Sequence, residues 1–116
     1  MIKGIGTDII EISRIKKLME NSGFSERCFT LAEIEYIKNK PQSAAACYAA
    51  KEAYSKALGT GVRGFNLKDI EVLHDELGKP YIKAYNSAFV NDSNIFLSLS
   101  HCNEYAVAYV IIERND

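Results

Sequence analysis

YAAKEAYSKALGTG, Tyr48 to Gly61, is the stretch that decides the fold. Its alanines and unbranched side chains are strong helix formers, and Gly59 falls where a left-handed C-terminal cap belongs. Small side chains along such a helix allow it to pack closely against a sheet or another subunit. Glu52 and Lys56 stand one turn apart and therefore share a face. Two readings are open from these residues alone. One is a solvated ion pair worth about 0.2–0.5 kcal/mol, and the other is a metal-binding carboxylate beside a phosphate-seeking ammonium.

Upstream, Thr30-Leu-Ala-Glu33 has the pattern of a capping box, in which hydroxyl and carboxylate satisfy the orphan amides of a helix start. Ile34 and Ile37 continue its apolar stripe, and Pro41 ends that helix or opens the next. Ile12, Ile15, Leu18 and Met19 have helical spacing, with Gly23 as the expected stop. Ile2 to Thr7 reads as a short strand whose Gly4 and Gly6 suggest a bulge or a close backbone approach. Asp8 is expected to end it.

Downstream the period shortens. Ile70 and Val72, then Tyr81 to Tyr85, read as strands joined through the turn signals of Asp75 to Pro80. Ile95–Ser100 and Tyr105–Ile112 are separated only by His101-Cys-Asn-Glu104, which predicts an antiparallel hairpin. Residues 86–94 read as a polar excursion. Helices first and hairpin strands afterwards predict an α+β fold on an antiparallel sheet, in one domain spanning residues 1–116.

Residues 1–63 carry 10 basic and 7 acidic groups, whereas residues 64–116 carry 4 and 8. A net charge of −1 argues against general nucleic-acid binding, which calls for a basic domain. The imbalance still permits a local basic patch, formed by Arg14, Lys16, Lys17 and Arg27, for an acidic partner. No apolar run approaches a membrane span, the N-terminus lacks a signal-peptide pattern, and three dispersed cysteines suggest reduced thiols. These features predict a cytoplasmic protein. Hydrolase, zincin and dinucleotide-binding motifs are absent, and the alanines around Cys47 are expected to bury it.

Asp8 lies at a strand–helix junction. It fits either the N-cap box Asp8-Ile-Ile-Glu11 or, with Glu52, a magnesium site of two carboxylates completed by substrate phosphates. Gly59-Thr-Gly-Val-Arg-Gly64 is a helix stop or, through its amides and Arg63, a phosphate contact. His101, behind Ser98 and Ser100, is a turn histidine or a phosphate ligand. No role is assigned to His74.

Taken together, Gly4–Ile15, Arg27–Glu33, Ala49–Gly61, Gly78-Lys-Pro80 and Leu99-Ser-His101 resemble the short bacterial class of 4'-phosphopantetheinyl transferases, the holo-acyl-carrier-protein synthases, over nearly the whole chain. The resemblance implies transfer of the phosphopantetheine arm of coenzyme A to a serine of apo acyl carrier protein, in a homotrimer with active sites between subunits. It implies that Asp8 and Glu52 hold magnesium, that Lys56 touches the phosphates, and that Glu52 is the base for the serine proton. Gly59, Gly61, Arg63, Gly64, Ser100 and His101 would line the coenzyme A site, and Arg14, Lys17 and Arg27 would dock the carrier protein. One departure stands out. Cys47 occupies a position where this class often carries an arginine, so a phosphate contact is expected to be missing or supplied elsewhere.

Overall fold

The computed structural model describes residues 1–21, 23–59 and 65–115. Its elements in chain order are β1 (Ile2–Glu11), α1 (Ile12–Met19), α2 (Phe24–Cys28), α3 (Leu31–Ile37), α4 (Pro41–Leu58), β2 (Ile70–His74), β3 (Pro80–Ala84), β4 (Ser93–His101) and β5 (Tyr105–Arg114). Short 3-10 turns cover Leu67–Asp69 and Asn86–Ala88. The strands are antiparallel and form two sheets, β1-β5-β4 and β2-β3. The α+β architecture expected from the order of helices and strands is the one observed.

α4 starts with Pro41 in its first turn, where the missing amide costs nothing. It ends at Gly59, whose φ of 82° is the left-handed cap predicted for it. Thr30 and Glu33 form the predicted capping box at the start of α3. The stripe of α4 against β1 is built from alanines, Ala49, Ala53 and Ala57. That smoothness lets the helix lie directly on β1.

Gly4 and Gly6 complete the fit. A Cβ on Gly4 would collide with the Ala57 carbonyl, and one on Gly6 with the Ala53 carbonyl. Both alternatives read from the sequence hold, since the β1–β5 register also shifts between Ile2 and Gly4. Gly6, Asp8 and Ile10 alternate along β1 on the face turned to α4. Register then places Ala106, Ala108 and Val110 of β5, and His101, Leu99 and Leu97 of β4, on that same face.

Two boundaries differ from expectation. β1 does not stop at Asp8 but pairs with β5 as far as Glu11, because the alternating pattern continues through Ile10. Glu11, not Asp8, caps α1, and its side chain makes no capping bond, so the N-cap box is not formed. Gly23 is not the stop of a single helix; α1 ends at Met19 and Gly23, at φ 92°, precedes the separate α2. Within the supposed polar excursion Ala88 is fully buried and its carbonyl accepts the Tyr54 hydroxyl at 2.5 Å.

Substituting Gly6→Ala should therefore destabilise the protein by about 3 kcal/mol or more, since backbone rather than a flexible side chain must yield. Thermal or urea unfolding measures it; a change below about 1 kcal/mol would show that α4 can lift from β1 without loss.

Candidate active site

Residues on a helix are roughly 100° apart, so α4 presents distinct stripes. Tyr48, Glu52 and Lys56 form one, and Ala49, Ala53 and Ala57 form the next, against β1. Cys47 and Lys51 point to the far side. Because α4 lies so close to β1, Asp8 comes within reach of the first stripe. Asp8, Arg14, Tyr48 and Glu52 line one open cleft of about 230 Å³, and Lys56 Nζ stands 3.2 Å from Asp8 Oδ1 at its edge. That ammonium also donates to the Thr7 carbonyl at 3.0 Å.

The ion pair considered between Glu52 and Lys56 is thus replaced by a pair between Lys56 and Asp8. Lys56 remains 55% exposed in its side chain, so solvent weakens the pair and the ammonium stays available to a ligand. Burial raises the Glu52 carboxyl above its ordinary value, and the Asp8 charge adds to the effect; Lys56, the Tyr48 hydroxyl and Arg14 oppose it. Two carboxylates that repel each other in one cleft are a donor set that gains from a cation. Their hard oxygens suit magnesium, which needs only one or two carboxylates when phosphates complete its shell. Among the described residues there is no cluster of three or more His, Cys, Asp or Glu side chains able to hold a metal, so a cation here would depend on its substrate.

A second cavity, of about 210 Å³, opens on the other flank of α4. His101, Leu99, Cys47, Tyr36, His74 and Pro80 are among its lining residues. His74, given no role from sequence, stacks on Tyr36 with ring centroids 3.9 Å apart. Lys40 Nζ lies 4.8 Å from the Tyr36 centroid, which brings a cation to this wall. Cys47 is buried as expected, and its thiol donates to Glu33 Oε2 at 3.2 Å. Burial, with the Glu33 charge, pushes that thiol well up, which makes it a poor nucleophile.

The two cavities share no lining residue. His101 and the Asp8–Glu52 pair therefore line separate cavities of one chain. Ser100 is separated from both, since register puts it opposite Val107 on the outer face of the sheet. Gly59 caps α4, while Gly61, Arg63 and Gly64 lie outside the described residues. Arg14, Lys16, Lys17 and Arg27 are all exposed on α1 and α2, and Arg14 reaches the cleft itself. For Tyr48, which lines the cleft, the sequence signal is its place one turn before Glu52.

Residues 4–110 match the 4'-phosphopantetheinyl transferase superfamily. The chain belongs to that family. A holo-[acyl-carrier-protein] synthase from Clostridium botulinum is 55% identical over 121 residues, covering 97% of this chain and 98% of that relative. A crystal structure of a holo-(acyl-carrier-protein) synthase from Bacillus anthracis in complex with CoA (3',5'-ADP) matches with a TM-score of 0.87 and 40% identity, over 99% of both chains. The Helicobacter pylori synthase in complex with coenzyme A matches at 0.86 and 32% identity, over 94% of this chain and 99% of that one. The resemblance read from the motifs is thereby established at the level of the phosphopantetheinyl transferase family.

The raised Glu52 carboxyl has a consequence for stability. The native state binds this proton more tightly than the unfolded chain, so its contribution is full below the ordinary value of 4.5 and is lost as pH rises through the native one. Glu52→Gln should therefore melt at a higher temperature than the parent at neutral pH in the absence of metal, with the advantage vanishing at pH 4. An equal effect at both pH values would show that Glu52 is not held against its ionisation.

Proposed function

We propose that this chain transfers the 4'-phosphopantetheine group of coenzyme A to a serine of apo acyl carrier protein, releasing adenosine 3',5'-bisphosphate and forming the holo carrier of fatty acid synthesis. The family match and the relatives named above support the activity. The observation that carries the site assignment is the cleft in which Asp8, Glu52, Tyr48 and Arg14 converge with Lys56 at the edge.

The reaction forms a bond from the serine oxygen to phosphorus and breaks the bond from that phosphorus to the departing nucleotide. Glu52 is assigned as the base that takes the serine proton. Its carboxylate lines the cleft beside Arg14, within reach of a serine presented there. Lys56, exposed and loosely paired, turns to the pyrophosphate and offsets the negative charge released with the nucleotide. Asp8 and Glu52 would hold a magnesium ion, which when bound supplies Lewis-acid charge to the pyrophosphate. Arg14 stands where the basic surface of α1 meets the cleft, so a carrier protein docked on Arg14, Lys17 and Arg27 would deliver its serine to Glu52. The acidic partner and the basic patch are complementary in charge.

A homotrimer with sites between subunits is part of the same reading. On the outer face of the three-stranded sheet, Ile5, Ile9, Phe96 and Tyr109 are 58%, 65%, 51% and 49% exposed, an apolar surface suited to association. Assembly would also let His101 and its cavity on one subunit meet the Asp8–Glu52 cleft of the next, with the nucleotide of coenzyme A spanning both. Ser100, on the outer face, would then line that junction. Lys40 Nζ lies over the Tyr36 ring in the wall of the cavity that holds Cys47, and it is assigned the charge that an arginine at that cysteine's position would supply. Among the described residues no helix is long and apolar enough to cross a membrane, and we place the reaction in the cytoplasm.

Intact-mass spectrometry of an apo acyl carrier protein incubated with this protein, coenzyme A and magnesium tests the proposal. The expected result is a phosphopantetheine-sized gain that chelator abolishes and that Glu52→Gln slows by orders of magnitude. No gain with several carrier proteins would refute the activity, and a gain indifferent to chelator would refute the metal.

A further inference from the structure

Lys51 is wholly buried beside the site, yet it faces away from the cleft. Its ammonium donates to Glu33 Oε1 at 2.6 Å, to the Cys28 carbonyl at 2.7 Å and to the Leu67 carbonyl at 2.9 Å. All three protons are used. Glu33 is equally committed, accepting from the Thr30 amide at 2.8 Å, the Val72 amide at 2.7 Å and the Cys47 thiol at 3.2 Å. Such a pair is fully compensated where it stands. A buried ion pair is nonetheless a poor source of stability compared with apolar packing, so its presence asks for another account.

The Cys28 bond supplies one. Cys28 closes α2, a helix of five residues, too short to hold its own place. α2 is tied to α4 at two points. Phe24 packs on Tyr48 with centroids 6.0 Å apart, and the Cys28 carbonyl is held by Lys51. On α4 both anchor residues, Tyr48 and Lys51, lie within the turn that precedes Glu52. Between Phe24 and Cys28, α2 carries Arg27, whose guanidinium folds back beside Gly23. Lys51 also lies 5.5 Å from the centroid of Phe29, the residue that follows α2.

We propose that Lys51 is a positioning residue for carrier-protein docking: its bond to the Cys28 carbonyl fixes α2, and thereby Arg27, relative to Glu52. This rests on the reading of Arg27 as part of the docking surface. Lys51 touches no reacting atom; it sets where an acidic carrier protein is held while its serine faces the base.

The test compares Glu33→Gln/Lys51→Met, which removes both charged groups, with Glu33→Gln alone, which leaves Lys51 its bonds to the Cys28 and Leu67 carbonyls. Circular dichroism and a cooperative melt establish folding, and Lys51→Gln serves if the double variant fails to fold. The double variant should raise KM for the apo carrier protein about tenfold, a change equivalent to about 1.4 kcal/mol, with KM for coenzyme A and kcat within twofold. Glu33→Gln should leave all three near the parent's. Arg27→Ala should raise the carrier-protein KM in the parent and add little in the double variant, since its contact is already displaced. A folded double variant, or Lys51→Gln in its place, with the parent's carrier-protein KM overturns the inference. Equal losses for both substrates, or an equal rise in Glu33→Gln, would show a purely structural role and overturn it too. If Arg27→Ala is silent in the parent, the docking assignment fails first and this inference with it.

Discussion

The approach of α4 to β1 is the constraint on which the rest depends. Gly4 and Gly6 lack the atoms that would strike the Ala57 and Ala53 carbonyls, and the alanine stripe lacks the bulk that would hold the helix away. With the two backbones this close, Asp8 on β1 stands beside the stripe of α4 that carries Glu52 and Lys56. A helix raised by one side-chain layer would leave these charges as separate surface groups. The same contact makes α4 a wall, with the carboxylate cleft on one flank and the His101 cavity on the other.

The burial that secures the wall also shapes its chemistry. Glu52 is half-enclosed and near a second carboxylate, so ionisation costs more than in water. Tyr48 and Lys56 reduce that cost without removing it. The cleft is therefore poised for positive charge. On the far flank the charges of Glu33 and Lys51 are paired and fully hydrogen-bonded, which suits them to hold elements in place.

Local signals in the sequence mapped onto local structure. The Thr30–Glu33 box, Pro41, Gly59 and the hairpin around residues 102–104 all appear where their chemistry placed them. The failures came where tertiary packing intervened. Asp8 satisfied the rule for a helix cap, but continued pairing with β5 kept it in a strand. Glu33 read only as a cap, because nothing in its neighbourhood announces Lys51, 18 residues on. Its second role depends on α3, α4 and β2 meeting in space. The Lys56–Asp8 pair was hidden for the same reason: its partners are 48 residues apart. The separation of His101 from Glu52 likewise needs the third dimension, since sequence lists the residues of a site without saying which flank of a helix each occupies.

That separation makes the shared site the central claim. Protomers carrying Glu52→Gln and protomers carrying His101→Ala should each be nearly inactive. Co-assembled from a mixture, they should recover a sizeable fraction of the parent's transfer activity, because some junctions then join an intact Glu52 to an intact His101. A mixed assembly no more active than its two parents, with mixing verified by native mass spectrometry, would contradict a site built from two subunits.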